Sequence, residues 1–292
     1  MLTWKIGDVT ISRVVELEVP VPYREPRPLI SGATPQALQT MPWLSPLFVT
    51  PEWHLRTAVH ALLIDAPGIR VVVDTCIGND KPRRMTLGHP LNTPFLETLS
   101  AAGWARESVD AVVCTHLHVD HVGWNTLLEN GRWIPTFPRA RYLIGKHEHA
   151  YWSAQTSAGD QVQSEQRAIL DDSVQPIFDA GLAQLVETDH RISPELRLLP
   201  TPGHTPGHVS VMIESRGEAA LITGDTIHHP CQFGRPEWHT PFDADIEQSH
   251  STRRALMEEF ADRPVLVIGT HFAAPTAGKI LRDGAAFKFV AD

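Results

Sequence analysis

Residues 114–124, CTHLHVDHVGW, set three histidines and an aspartate within six positions: His116, His118, Asp120 and His121. Imidazole and carboxylate groups bind divalent cations at neutral pH, and four of them this close together argue for a metal rather than a solvated loop. The same residue types recur where three other apolar runs end. His204 closes LLPTPGH, Asp225 closes ALITGD and His271 closes VLVIGTH. Taken singly, a strand-end histidine such as His204 or His271 more often caps or hydrogen-bonds than ligates; the recurrence at four strand ends carries the metal reading. Seven such groups without a thiolate suit borderline or hard ions, zinc foremost, with manganese, iron or cobalt also compatible. They suffice for two ions. His147 and His149, in KHEH, read instead as the surface start of a polar helix.

Positioning those side chains takes strands whose ends meet on one rim, where ligand geometry is held more rigidly than on loops. HALLIDAPGIRVVVDTC reads as strand, turn, strand around Ala66, Pro67 and Gly68. VDAVVCTH delivers the first motif, and LRLLPTPGH, HVSVMIES and EAALITGD follow, the last two joined by Arg216-Gly217 as a hairpin. PVLVIGTH is a buried strand and AAFKFVAD a short terminal one. Helices are predicted over NTPFLETLSAAGW, with Asn92 or Thr93 as cap, Pro94 in the first turn and Gly103 at the end. Two more are predicted, across Asp160 to Asp179 with a kink or break at Pro176, and around DIEQSHSTRRALMEEFAD. The stretch from Pro20 to Trp53 holds eight prolines interspersed with Tyr23, Trp43 and Phe48. That composition predicts a long ordered loop, with a short helix near TPQALQTM. No linker or repeat divides the chain, so residues 1–292 read as one α+β domain, two sheets with helices outside, carrying 20–57 as a loop insertion.

Composition bounds the function. The 292 residues are 42% hydrophobic, ample for a core, and 34 acidic against 25 basic side chains give a formal charge of −9. That balance works against a nucleic-acid partner. The N-terminal stretch lacks the layout of a secretory signal and no apolar run is long enough to cross a bilayer, so no membrane role and a cytoplasmic location are expected. Cys76, Cys114 and Cys231 show no disulfide spacing, and Cys114, inside a strand, reads as a buried thiol. No GxSxG elbow offers a serine nucleophile.

The HxHxDH pattern of His116, His118, Asp120 and His121, followed by TPGHTPGH, TGD and GTH, resembles the metallo-β-lactamase superfamily over nearly the whole chain. The resemblance implies a four-layer αβ/βα sandwich with two divalent metals between the upper edges of the sheets. It assigns His116, His118 and His204 to the first metal, Asp120, His121 and His271 to the second, and Asp225 as the bridge. It makes Asp74 the acid that orients a ligand histidine, and His208 a neighbour of the ligands rather than one of them. Cys76 stands where the family turn commonly has glycine.

Within the superfamily, Asp225 stands where lactam-cleaving enzymes usually have cysteine. The stretch after His271 is too short for the helical recognition domain of glyoxalase II-like thioesterases, and the acidic balance does not fit ribonucleases. THLHVDHVGWN and GDTIHHPCQ resemble the branch of quorum-quenching lactonases and methyl parathion hydrolase. His228 takes the place of a tyrosine that contacts the substrate carbonyl in one lactonase subgroup, so it is a candidate oxyanion donor or pocket residue.

The resulting expectation is a dinuclear hydrolase of small esters or lactones, lactonase- or arylesterase-like with a phosphotriesterase side activity. A metal-bridging hydroxide attacks and Asp120 moves a proton to the leaving group. Phe48, Trp53, Trp124, His229, Phe233 and Trp238 are expected to wall an apolar pocket, unless the proline-rich loop is buried at a homodimer contact instead. Two rival classes remain at this point: a mononuclear iron oxidoreductase like the persulfide dioxygenases, and a metal-stabilised binding protein without turnover.

Overall fold

The computed structural model describes residues 1–86, 88–155 and 161–291. The first sheet holds β1 (Thr3–Ile6), β2 (Val9–Val21), β3 (Leu55–Ala66), β4 (Ile69–Val73) and β5 (Ala111–Cys114). A separate ribbon follows, β6 (Thr126–Glu129) with β7 (Arg132–Pro135), before β8 (Arg141–Gly145) and β9 (Ala183–Val186) complete that sheet in the order β1-β2-β3-β4-β5-β8-β9. The second sheet runs β10 (Leu196–Pro200), β11 (Val209–Ser215), β12 (Glu218–Ile222), β13 (Val265–Ile268), β14 (Ala277–Asp283) and β15 (Ala286–Ala291) in sequence order. The helices are α1 (Pro35–Leu38), α2 (Phe95–Ala101), α3 (Lys146–Gln155), α4 (Gln161–Ile169), α5 (Gln175–Asp179), α6 (Cys231–Gly234) and α7 (Ile246–Phe260).

The layering follows from period-2 alternation in strands that are apolar on both faces. In β3 and β4, Leu62, Ile64, Val71 and Val73 face the opposite sheet, where they meet Val211, Ile213, Ala220, Ile222 and Ile268. The alternate residues Leu63 and Val72 turn outward to Phe95, Leu99, Tyr142 and Ile177. On the far side Met212, Leu221 and Val267 turn outward to Leu256, Met257 and Phe260 of α7. Three apolar clusters between four layers give the αβ/βα sandwich. Each fully buried Val, Leu or Ile contributes about 1.5–3 kcal/mol.

The proline-rich segment is an outer layer over the second sheet. β2 runs through Val21, with Pro20 paired to Arg56, and β3 begins at Leu55, so the non-strand stretch is 22–54 rather than 20–57. Ile30, Leu38, Leu44 and Phe48 bury themselves in the cluster that also holds α7. α1 is capped by the Thr34 side chain, which accepts from the Ala37 amide.

Two helix readings shift. α2 is preceded by Pro94 at the cap position, whose ring has no polar group to make a cap bond, while Thr93 is turned away to Asn79, which accepts from its amide and its hydroxyl. In the Asp160 to Asp179 stretch, Asp160 lies outside the described residues and the interruption falls at a π-helical turn over Leu170–Val174. Pro176 sits in the first turn of α5, where its missing N–H costs nothing, so the irregularity precedes it.

Candidate metal centre

The seven candidate ligands lie beyond the C-terminal ends of strands on one edge of the sandwich. β4 and β5 are parallel, as are β12 and β13, so their C-terminal ends open the same way. Asp74 leaves β4 with φ 56°, a left-handed conformation that turns its carboxylate back under the HxHxDH loop. There it accepts from the Thr115 amide (2.8 Å), the Thr115 hydroxyl (2.8 Å) and His121 Nδ1 (2.8 Å). The loop is stitched further by Thr75 N to His121 O and Gly123 N to Cys76 O, both 2.7 Å. Cys76 takes φ 54° itself, adopting the conformation a glycine would supply.

The ligand atoms converge. His116 Nε2 lies 2.9 Å from His118 Nδ1, which lies 2.9 Å from His204 Nε2. Across the centre, His121 Nε2 is 3.3 Å from His271 Nε2, and each is 3.6 Å from a carboxylate oxygen of Asp120. Asp225 sits in the middle: Oδ2 is 3.3 Å from His121, 3.5 Å from His204, 3.8 Å from His116 and 3.2 Å from His228, and Oδ1 is 3.1 Å from His271. The groups His116–His118–His204, His116–His121–Asp225 and Asp120–His121–His271 each keep their ligand atoms within 4.8 Å of one another, as does His204–Asp225–His228.

The outer nitrogens decide what the inner ones can do. The Thr115 hydroxyl gives its proton to Asp74, so its oxygen accepts from His116 Nδ1–H at 3.1 Å. His121 Nδ1 donates to Asp74, His204 Nδ1 to Asp243 (2.8 Å) and His271 Nδ1 to the Ala58 carbonyl (2.9 Å). With Nδ1 engaged outward as a donor in all four, Nε2 is the nitrogen left to face the centre, as metal ligation requires. Burial holds His116 well below the usual histidine range, His118 at about 3 and His204 at about 4, so these rings are neutral at pH 7.

At His121 and His271 burial acts the same way, but the carboxylates, Asp225 foremost, outweigh it and push both up, His271 to about 9. Asp225 therefore draws positive charge inward, and one of its oxygens is buried without a hydrogen-bond partner. Divalent cations would meet both demands without protonating a ligand. The residues present fit a metal centre.

His208 is not among the converging atoms. Its Nδ1 bonds Thr201 and its Nε2 accepts the Asp225 amide at 2.8 Å, so it fixes the backbone that carries Asp225. His228 is 4% exposed, with Nδ1 buried and unpartnered. The rings expected to wall a pocket are packed otherwise. Phe48 and Phe233 are buried against Phe272 and Phe289, one layer behind His271, because the apolar outer cluster draws them in. His229 bonds the Phe48 carbonyl, and Trp124 stacks on Phe95 while donating to Glu16 at 2.7 Å. Trp238 is partly buried beside that same outer cluster, and Trp53 lines a shallow cleft with Val21, Tyr23, Leu29 and Ile30. The edge of the centre that reaches solvent is His118 to Asp120, with the Asp120 side chain 17% exposed.

Sequence reasoning named Asp74 behind His121 but missed two further acids around the ligands. Glu148, between the two histidines of KHEH, is buried and accepts from the Leu117 amide at 3.0 Å, the Gly207 amide at 3.2 Å and the Trp152 indole at 2.7 Å. It joins the first motif to the loop of His204. Asp243 supports His204 from 39 residues away, with no motif to mark it. Cys114 is buried, and burial pushes its thiol up to about 12.

A sequence profile of the metallo-beta-lactamase superfamily matches residues 55–271, and the chain belongs to that superfamily. Its members bind divalent metals. An N-acyl homoserine lactonase from a Bacillus species is 27% identical over 176 residues, 60% of this chain and 61% of the relative. The lactonase of Bacillus cereus is 26% identical over 172 residues, 59% of each chain. The chain thus spans about three fifths of the length of the curated relatives it matches. Among solved structures, hydrolase AbOPH of the beta lactamase superfamily gives a TM-score of 0.81 at 22% identity, covering 100% of this chain and 97% of its own. AidC, a dizinc quorum-quenching lactonase solved with a product, gives 0.81 at 19%, covering 99% and 96%. At these identities the likeness is one of fold. Among the described residues no helix is long and apolar enough to cross a membrane.

Proposed function

We propose that this chain is a dinuclear metal-dependent hydrolase of small esters or lactones. The observation that carries the reading is the inward turn of four Nε2 atoms, fixed by bonds at Nδ1, around a buried and under-bonded Asp225 carboxylate. In this reading His116, His118 and His204 hold one cation, Asp120, His121 and His271 the other, and Asp225 both. Bound there, the two cations would acidify a water and polarise the scissile carbonyl.

The chain's own groups do the rest. Asp120, on the solvent edge, is placed to hold a proton and release it to the departing oxygen. His228, whose Nε2 lies 3.2 Å from Asp225 Oδ2, can donate to a developing oxyanion or shape the pocket. The lactonase relatives support small lactones as substrates, and the acidic balance of the chain disfavours polyanions.

Elemental analysis of purified protein should give two divalent metals per chain, and a panel of aryl esters and lactones should be turned over. Asp225→Ala should lose metal and lower kcat/KM by more than the roughly 10–100-fold typical of outer-shell losses. A single iron per chain with oxygen consumption, or full turnover by Asp225→Ala, would overturn the reading.

A further inference from the structure

Behind His204 lies a pair of charges that no motif announces. His204 Nδ1–H donates to Asp243 Oδ1 at 2.8 Å, and Asp243 Oδ2 is 3.7 Å from the Arg253 guanidinium and 3.4 Å from the Thr240 amide. Both side chains are fully buried. Arg253, on α7, spends its remaining donors on backbone: the Thr226 carbonyl at 2.7 Å, Pro236 at 2.8 Å and Trp238 at 2.7 Å, with the Ser249 hydroxyl at 3.0 Å. Thr226 is the residue after Asp225, so one guanidinium fixes both the acid behind His204 and the backbone leaving Asp225. The loop is pinned on the other side too, by Ala244 N to His204 O (2.9 Å) and Asp245 N to Gly203 O (3.0 Å).

Of the three imidazoles meeting at that position, His204 is the one backed by a carboxylate among the described residues; His116 has the Thr115 hydroxyl behind it. A carboxylate on the far nitrogen fixes the ring's tautomer and direction and makes the near nitrogen a stronger donor. Asp74 does this for His121 on the opposite side. We propose that Asp243, braced by Arg253, is a positioning residue that sets the cation affinity of the position built from His116, His118 and His204. This rests on the dinuclear reading above, and gives each of the two positions one carboxylate-backed imidazole.

The test is zinc affinity, read by chelator competition on the zinc-loaded protein. Asp243→Asn keeps the shape and can still accept the imidazole proton but lacks the charge. It should release one of the two zincs about 10–100-fold more readily than the parent and leave the other unchanged. Asp74→Asn should weaken chiefly the position that holds His121, with a smaller effect on the other through Thr115 and His116. The half-loaded cobalt forms of the two variants should then differ in visible absorption, since one retains two imidazoles and a carboxylate and the other three imidazoles.

Arg253→Lys, which keeps the charge and loses the fork, should weaken the same position as Asp243→Asn by a smaller factor. Equal weakening of both zincs in Asp243→Asn, or parental affinity at both, would overturn the proposal. So would loss of tertiary structure in metal-free Asp243→Asn, because Asp243 would then be a requirement of the fold. If the parent protein itself holds fewer than two zincs, the dinuclear reading fails instead.

Discussion

His228 is where chemistry and packing compete at a single side chain. Its Nε2 is 3.2 Å from Asp225 Oδ2, its ring is stacked on His271 at 5.8 Å between centroids, and its amide is held by Gln232 at 2.7 Å. A ring held on two sides, on a backbone fixed by Gln232, shapes a pocket more readily than it follows a moving charge. His228→Ala at full metal occupancy should therefore raise KM while kcat holds, as measured by steady-state kinetics on an ester or lactone that the enzyme accepts. An equal fall in kcat and kcat/KM would make it an oxyanion donor. The proposed ligands were legible because each follows an apolar run, a pattern visible in one dimension. Asp243, Arg253 and Glu148 were not, because a buried charge declares itself only through partners that are distant in sequence, and KHEH looks like any polar helix start.

At the scale of elements, the loop after β4 and the loop after β5 are pressed together with no room between them. A Cβ built on Gly123 would lie 1.8 Å from the Ile77 carbonyl oxygen, and Gly78 faces it with φ +82°. Gly123→Ala must push the two loops apart, costing at least about 1–3 kcal/mol and dislodging Asp120 and His121. Denaturant midpoints and metal content should fall together. Lys81 ties the same region, donating to the Gly123 carbonyl at 2.6 Å and to Thr126 at 3.1 Å from a fully buried position. Burial foremost, with Arg83 adding to it, lowers its ammonium to about 7 against the pull of Asp172, Glu16 and Asp80.

Between pH 7 and the ordinary lysine value of 10.5, the unfolded chain holds that proton and the folded chain does not. Folded stability gains from this residue as pH rises through the window, and the buried charge costs stability below it. Compared with Lys81→Met, the parent's unfolding free energy in denaturant titrations should climb from pH 7 to 10.5. The strands themselves were readable where apolar runs were unbroken, as in β4, β5 and β13. The N-terminal hairpin of β1 and β2 and the ribbon of β6 and β7 mix exposed with buried positions, and their pairing partners supply order that local composition does not.

Over the whole molecule, the centre joins two halves that also meet through apolar contact between the sheets and through hydrogen bonds such as Ala58 N to His271 O and Val209 N to Thr115 O. His116, His118, Asp120 and His121 come from the first sheet, and His204, Asp225 and His271 from the second. Cations bound across that seam would stabilise the native state by mass action, about 2.7 kcal/mol for each site held at a hundred times its Kd. Calorimetry with and without chelator should therefore show a lower thermal midpoint for the stripped protein, and readdition of zinc should restore it. The same seam imposes an order in time. During synthesis the HxHxDH loop emerges with only part of either ligand set. The three-histidine position can be completed once His204 and Asp225 have left the ribosome, and the other only when His271 follows. Chain order therefore sets the earliest moment at which each position can be fully coordinated, and the ligands of the first sheet alone complete neither.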